Sequence, residues 1–174
     1  NENAFKAAFI KFARNNYSDH NMETRLKTSL DNNEPGSPDL SILSFQKGFH
    51  GRTLGCLSTT RSNAWHKINI PAFKWPVAPF PQLKYPLEDN KLYNFSEEEK
   101  CLEQTEKILK NSKTIAGMII EPIQAEGGDR HASNDYFIKL RQLALDRDIT
   151  FIVDEVQTGV GSTGKMWGHQ YWSD

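Results

Sequence analysis

The 174-residue chain has little cysteine and no excess of charge of one sign. Its two cysteines, Cys56 and Cys101, form neither a C-x-x-C motif nor a disulfide framework, which favours a reducing compartment. Its 21 basic residues are balanced by 22 acidic ones, so nothing predicts binding to nucleic acid or another polyanion. No apolar run approaches the ~20 residues that cross a bilayer, so we expect a soluble protein that uses no membrane.

Aromatic residues are plentiful: four Trp, ten Phe and five Tyr predict a packed structure rather than disorder. The length suffices for one domain with a core. The chain has no initiator Met, and it stops soon after an aromatic run without a closing element. We therefore expect an internal piece of a longer protein, with any targeting segment outside it.

Two apolar stretches predict buried parallel strands, Thr114–Ile120 and Ile149–Asp154. We expect the second of them to be central and covered on both faces. The first is followed by Glu121, and the second ends on Asp154 with Glu155 behind it. Ligands of open α/β sheets bind at the carboxyl ends of the strands, so this shared edge is the candidate site.

Other sequence patterns predict the remaining helices, strand and connections. They predict helices over residues 2–15, 54–60, 96–110 and 134–146, the third opened by a capping box at Ser96, and a strand over 41–45. Residues 15–39 are polar and predict a loop, and the prolines of residues 62–92 predict a connection without regular structure. The order strand, helix, strand predicts an α/β fold with a parallel sheet.

A glycine-rich loop follows the second strand and raises a nucleotide-binding alternative. Gly159–Gly164 satisfies G-x-G-x-x-G, and Gly159–Lys165 satisfies G-x-x-x-x-G-K. The phosphate-binding motif needs Ser or Thr after the lysine, whereas Met166 stands there. Four residues also separate the strand from the first glycine, so the context of a dinucleotide fingerprint is missing.

Three motifs in one order resemble the class III aminotransferases, which are pyridoxal-phosphate enzymes of fold type I. They are Phe49-His-Gly-Arg52, Glu121-Pro-Ile-Gln-Ala-Glu126 and Asp154-Glu-Val-Gln157. The resemblance implies that residues 1–174 are part of the large cofactor-binding domain, a mostly parallel sheet with helices on both faces. The N-terminal segment, the Schiff-base lysine region and the C-terminal domain then lie outside. The proline-rich segment Pro76–Pro81 points to members that act on an ω-amino acid.

The resemblance assigns five residues to the cofactor, pyridoxal 5′-phosphate. Asp154 would pair with the ring nitrogen and favour its protonated form, on which the electron-sink chemistry depends. Gln157 would hydrogen-bond the phenolic oxygen, while Val156 and Phe49 would pack on opposite faces of the ring. For His50, a hydrogen bond near the cofactor and simple support of its loop remain equal alternatives.

The resemblance also assigns the substrate side. Arg52 would clamp the substrate carboxylate, since its planar fork binds carboxylates in bidentate fashion. Glu126 would act in catalysis and substrate binding, pairing with a second arginine outside the chain and releasing it when 2-oxoglutarate binds. Glu121 would brace the site. Lys165 stands too close to the strand to be the Schiff-base lysine, so the segment alone should be inactive.

The implied substrates are an amino acid and a 2-oxo acid. The resemblance further implies a homodimer in the mitochondrial matrix, and no metal site is predicted. Relatives acting on ornithine, acetylornithine or β-alanine remain alternatives within the family. Outside enzyme catalysis by an aminotransferase, the alternatives are a nucleotide-binding domain at Gly159–Lys165 and a binding or structural module that kept the fold without the chemistry.

Overall fold

The computed structural model describes residues 1–17 and 21–172. Its sheet has four parallel strands in the order β2-β1-β3-β4. The strands are β1 (Ser41–Phe45), β2 (Val77–Ala78), β3 (Ile115–Ile120) and β4 (Thr150–Val153). The helices are α1 (Glu2–Asn16), α2 (Met22–Leu30), α3 (Leu54–Thr59), α4 (Lys91–Asn111) and α5 (Asn134–Leu145), with 3₁₀ turns at Ala64–His66 and Gly168–Tyr171. The predicted α/β class with a parallel sheet is confirmed.

Helices cover both faces of the sheet, because successive strand side chains point to opposite sides. On one side, Ile42 and Ile119 pack with Phe5 and Ala8 of α1 and with Cys56 of α3. The opposite face carries the larger core, to which β1, β3, α4 and α5 contribute Leu43, Phe45, Leu102, Leu109, Met118, Ile120, Phe137 and Leu140. Cys56 and Cys101 are both buried and free. No helix in the described ranges is long and apolar enough to cross a membrane.

Strands β3 and β4 end side by side, as predicted. They pair in register from Gly117 and Thr150 to Ile120 and Val153. The next residue, Asp154, donates its backbone N–H to the carbonyl oxygen of Ile120 at 2.8 Å. Because the strands are parallel, the carboxylates that follow them emerge at the same edge of the sheet.

The prediction that the last strand is central and covered on both faces is wrong for the described residues. Strand β4 lies at the edge of the sheet, and all four of its residues are only half-buried. Strand β3 occupies the inner position between β1 and β4, and each of its six residues is buried. Apolar sequence alone does not distinguish an inner strand from one with a single neighbour.

The loop predicted for residues 15–39 contains helix α2. The side chain of Asn21 caps it by accepting the backbone N–H of Glu23 at 2.8 Å. Gly36 then returns onto this helix, donating its N–H to the Thr28 hydroxyl at 2.9 Å. A Cβ at Gly36 would lie 2.0 Å from the carbonyl oxygen of Arg25, so this close return requires glycine.

Two further predictions of local structure need correction. Helix α4 begins at Lys91 rather than at Ser96, because Asn94 exchanges side-chain hydrogen bonds with the backbone of Lys84 and fastens the preceding turn. The proline-rich connection contains the short strand β2. The prolines flank this strand and leave Val77 and Ala78 free to pair with Ser44 and Phe45.

Helix α5 packs into the larger core, so substitutions in this helix test how much the core contributes to stability. Leu140 is completely buried, whereas Ile138 on the same helix is 49% exposed. We expect Leu140→Ala to lower the free energy of unfolding of the full-length protein by about 2–5 kcal/mol, because it leaves a cavity. The matched change Ile138→Ala should cost less than about 1 kcal/mol. Urea denaturation measures both, and equal losses would contradict this packing.

Candidate active site

A cavity of about 380 Å³ opens at the carboxyl edge of the sheet. All eight residues proposed from the sequence line it: Phe49, His50, Arg52, Glu121, Glu126, Asp154, Val156 and Gln157. Asn1, Glu2 and Cys56 line it as well. A larger cavity of about 550 Å³ lies between residues 83–87, α4 and α5, but none of the eight residues contacts it. We assign the site to the smaller cavity because its side chains have the required chemistry.

Asp154 is buried in this cavity, and hydrogen bonds hold both of its carboxylate oxygens. Only 5% of the residue is exposed, and its Oδ2 atom accepts hydrogen bonds from Asn1 Nδ2 at 2.7 Å and His50 Nδ1 at 2.8 Å. Its Oδ1 atom accepts only the backbone N–H of Val156, at 3.2 Å. A carboxylate oxygen has two lone pairs, so Oδ1 can accept one further donor.

The surroundings of Asp154 keep its carboxylate charged. Burial by itself would raise its pKa, but the hydrogen bond and charge of His50, together with donors from Val156 and Asn1, bring the pKa below its ordinary value. A buried group that stays ionised is suited to pair with a cation or a protonated ring nitrogen. The structure thus supplies the property that the family resemblance requires of this residue.

His50 makes two kinds of contact in the structure, one through its backbone and one through its imidazole. Its backbone N–H donates to the Thr60 hydroxyl at 3.0 Å, and that hydroxyl donates to the Gly51 carbonyl at 2.9 Å, which stabilises the loop. Its imidazole contacts Asp154 through Nδ1. With Nδ1–H donating to the carboxylate, the imidazole is oriented by the site's central acid.

Glu121 contacts the backbone of Phe49. It is buried, and its Oε2 atom accepts the backbone N–H of Phe49 at 2.8 Å. Burial raises its pKa to about 8, and the charges of Asp154 and Glu126 add to the effect, while the Phe49 donor opposes it. Near neutral pH this carboxyl is therefore mostly protonated, and it fixes the backbone that carries the Phe49 ring.

The remaining site residues are available at the mouth of the cavity. Arg52, Glu126, Val156 and Gln157 are exposed. Neither Arg52 nor Glu126 forms an ion pair with another residue in the described ranges. The half-buried Phe49 ring meets His66 edge-on at 5.3 Å between centroids. Charged groups without partners at a cavity mouth can bind a charged ligand there.

Sequence reasoning missed two contributors from the start of α1. Asn1 bridges the site, because its side-chain amide also donates to the His50 carbonyl oxygen at 3.0 Å. Glu2 accepts hydrogen bonds from Thr53 and from the first turn of α3. Their partners lie about 50 or more residues away, and no local pattern marks such contacts.

Glu155, next to Asp154, has a different function. Its Oε1 atom accepts the backbone N–H and the Nδ1 of His169, both at 2.8 Å, and its Oε2 atom accepts from Gly168 and Thr158. Burial raises its pKa, but these donors more than offset that and leave the pKa below its ordinary value. Glu155 thus joins the end of β4 to Thr158 and to the 3₁₀ turn Gly168–Tyr171, on either side of the glycine-rich loop.

Replacing Glu155 should therefore damage stability. We expect Glu155→Gln to lower the free energy of unfolding by about 1–3 kcal/mol, since an amide cannot accept every donor that the carboxylate accepts. Thermal or urea unfolding of the full-length protein measures this loss, with the exposed change Glu103→Gln as control. A stability equal to that of the control variant would contradict the anchoring role.

The glycine-rich loop does not form a phosphate site beside these residues. Lys165 points away from the cavity, donating to the Gln170 carbonyl at 2.9 Å and lying over the Tyr171 ring at 4.5 Å. The loop is followed by the 3₁₀ turn Gly168–Tyr171 rather than by an α-helix whose first turn could face a phosphate. Within residues 1–17 and 21–172, no group of His, Cys, Asp or Glu side chains could hold a metal ion.

Comparison with known proteins decides the family. Residues 1–174 match the family described as aminotransferase class III. The chain belongs to the class III aminotransferases. Among relatives, the mitochondrial 4-aminobutyrate aminotransferase of Sus scrofa is 53% identical over 177 residues, covering 99% of this chain and 35% of that protein. The 4-aminobutyrate aminotransferase of Emericella nidulans is 51% identical, covering 99% of the chain and 36% of that protein.

Solved aminotransferase structures have the same fold. The lysine aminotransferase from M. tuberculosis superposes with a TM-score of 0.80 at 32% identity, over 99% of this chain and 36% of that one. This neighbour supports the expected fold type. The chain spans about one third of the length of the relatives that it matches.

Membership of the class III aminotransferases implies pyridoxal phosphate, and the cavity fits its ring. Asp154 offers a buried charged carboxylate with unused acceptor capacity on Oδ1. His50 Nε2 is also buried, and it has no hydrogen-bond partner among the described residues. Polar atoms without partners are uncommon in the interior of proteins, and this one belongs to the residue that hydrogen-bonds Asp154.

Proposed function

We propose that the full-length protein transfers the amino group of 4-aminobutyrate to 2-oxoglutarate, giving succinate semialdehyde and glutamate. Residues 1–174 contribute part of its cofactor-binding large domain. The single observation that carries this function is the ionised Asp154, held by Asn1 and His50 at the carboxyl edge of the sheet. Two relatives at about half identity, both named 4-aminobutyrate aminotransferases, support the choice of substrate.

Pyridoxal phosphate, when bound, supplies the electron sink for moving an amino group between carbon skeletons. The residues of this chain fix its surroundings. Asp154 would pair with the ring nitrogen and favour its protonated form, while His50 and Asn1 hold that carboxylate in one orientation. Glu121 holds the backbone of Phe49, whose ring would pack on one face of the cofactor ring. Val156 and Gln157 also line the cavity and would cover the other face and hydrogen-bond the phenolic oxygen.

The substrate is bound at the mouth of the cavity. Arg52 holds the carboxylate of 4-aminobutyrate, which lies far from the reacting amine. Glu126 pairs with an arginine outside residues 1–174 during this half-reaction and releases it for the second carboxylate of 2-oxoglutarate. Both side chains line the cavity and lack an ion pair to the described residues, which supports these movable roles.

The oligomeric state and the cellular location of the protein are two further parts of the proposal. The name of the pig relative includes the mitochondrion, whereas that of the Emericella nidulans relative does not. We place this protein in the mitochondrial matrix as a homodimer. Import of a tagged full-length chain into mitochondria and its mass in solution test these two statements separately.

The reaction is tested with the full-length protein and added pyridoxal phosphate. Glutamate formed from 2-oxoglutarate is measured with 4-aminobutyrate, ornithine, acetylornithine or β-alanine as the amino donor. We expect 4-aminobutyrate to give the highest kcat/KM. With this donor, the amount of succinate semialdehyde formed should equal the amount of glutamate. A higher kcat/KM for another donor would reassign the substrate within the family. Mg²⁺-dependent ATP binding without any transamination would instead favour a nucleotide-binding function for Gly159–Lys165.

Residues 1–174 expressed alone should give no turnover. The family places the Schiff-base lysine outside this segment, and Lys165 is engaged with Gln170 and Tyr171 away from the cavity. Glutamate formation by the purified segment, assayed with the same substrates, would contradict this assignment.

A further inference from the structure

The carboxylate of Glu2 binds the segment that follows Arg52. It accepts the hydroxyl of Thr53, the N–H of Gly55 at 3.1 Å and the N–H of Cys56 at 2.9 Å. Thr53 is the N-cap residue of α3, but its own side chain makes no capping hydrogen bond. Glu2 therefore supplies from a different helix the acceptor that the first turn of α3 lacks.

Gly55 gives Glu2 the room for this contact. A Cβ built on Gly55 would lie 2.4 Å from Glu2 Oε1 and 3.0 Å from Glu2 Cδ. The absence of a side chain at this one position thus lets the carboxylate reach the backbone donors. Burial would raise the pKa of Glu2, but the Thr53 hydroxyl and the Cys56 and Gly55 N–H groups bring it below its ordinary value, so the bound group is charged.

Arg52 is covalently joined to this fixed turn. Its guanidinium is exposed at the cavity and has no ion pair among the described residues, so little but the backbone sets its direction. Thr53, Gly55 and Cys56 are all within four residues of it, and each donates to the same carboxylate. A loss of these three contacts frees the backbone on one side of Arg52.

We propose that Glu2 is a positioning residue for substrate recognition, and that its carboxylate, seated on Gly55, aims Arg52 at the substrate carboxylate. The proposal rests on the function proposed above, in which Arg52 is the clamp. Among the described residues, the hydrogen bonds of Glu2 go to Thr53, Gly55 and Cys56 rather than to Asp154, so it acts through the first turn of α3. Its loss should weaken binding of any carboxylate at this site and leave the reacting centre intact.

A purely structural role for Glu2 predicts a different pattern. If Glu2 only stabilised the fold, its replacement would lower thermal stability and affect cofactor and substrate to similar degrees. If Glu2 positions Arg52, its replacement should selectively weaken the binding of a ligand that has the carboxylate and lacks the amine. Butyrate is such a ligand, and its inhibition constant against 4-aminobutyrate reports on the clamp alone.

The experiment uses the full-length holoenzyme and two variants, Glu2→Gln and Gly55→Ala. The first neutralises the carboxylate, and the second leaves it charged but displaces it. For both we expect the butyrate inhibition constant and the KM for 4-aminobutyrate to rise about tenfold, as for one lost charge-assisted contact. The kcat and the affinity of the apoenzyme for pyridoxal phosphate should stay within about twofold. Glu23→Gln, an exposed first-turn carboxylate of α2, is the control.

Each outcome has one meaning. An unchanged butyrate inhibition constant in both variants, or a parallel fall in cofactor affinity and kcat, overturns the positioning role. An Arg52→Met variant distinguishes a failure of the proposed function from a failure of the inference about Glu2. If that variant binds butyrate normally, the assignment of Arg52 in the proposed function fails. If Arg52→Met loses butyrate while Glu2→Gln does not, only the inference about Glu2 fails.

Discussion

Asp154→Asn is expected to lower the kcat/KM of the full-length protein by about 10²- to 10⁴-fold, a loss comparable with that of a proton-transferring side chain, because the ring nitrogen would lose its charge partner. Asparagine keeps the shape of the side chain but cannot carry the charge that favours a protonated ring nitrogen. His50 and Asn1 would then also lose the negative acceptor that they share at Oδ2. Steady-state kinetics with 4-aminobutyrate and 2-oxoglutarate measures the effect.

The neighbouring carboxylate provides the matched control. Glu155→Gln removes the same charge one residue along the chain, but its partners Gly168 and His169 belong to the 3₁₀ turn after the glycine-rich loop rather than to the cavity. Its kcat/KM should fall less than about tenfold at a temperature where the variant remains folded, because none of its partners lines the cavity. Similar losses of kcat/KM in the two variants would mean that charge near this edge matters without any specific role for Asp154.

Glu121 is expected to make stability fall as the pH rises. Its pKa is raised to about 8 in the folded protein against 4.5 for the ordinary carboxyl, so the folded state holds a proton that the unfolded state releases. Stability from this source is complete below about pH 4.5 and is lost as the pH rises through about 8. Between pH 5.5 and 8, the loss amounts to about 3 kcal/mol.

Glu121→Gln isolates this dependence. The amide oxygen can still accept the Phe49 N–H, but the side chain no longer titrates. Urea denaturation of the full-length apoprotein at pH 5.5 and 8 should show the free energy of unfolding falling by about 3 kcal/mol more in the parent than in the variant. Identical pH dependence in the two proteins would contradict a protonated Glu121.

The sequence predicts the parts of this site that follow directly from strand ends. Glu121 and Asp154 each come directly after an apolar run, and parallel strands bring such residues to one edge. The motif at Phe49–Arg52 could be placed in the site because the family resemblance supplied what local pattern does not. The structure brings all of these residues to one cavity, while their individual chemical roles remain predictions.

What the sequence did not predict depends on contacts between distant segments. Asn1 and Glu2 look like the start of an ordinary amphipathic helix, and their partners become visible only in three dimensions. The start of α4 was missed because Lys84, outside the helix, holds Asn94. Glu155 was recognised as an acid at the site edge, but only its donors from residues 168 and 169 distinguish an anchor from a reacting group.

We propose that a lysine outside residues 1–174 completes the cofactor site of the full-length protein. Borohydride reduction of the full-length protein with pyridoxal phosphate, followed by peptide mass spectrometry, tests it most directly. We expect one pyridoxyl-lysine outside this segment. At limiting cofactor, Asp154→Asn should reduce the yield of this pyridoxyl-lysine. Modification of Lys165, or a full-length chain without any lysine adduct, would contradict it.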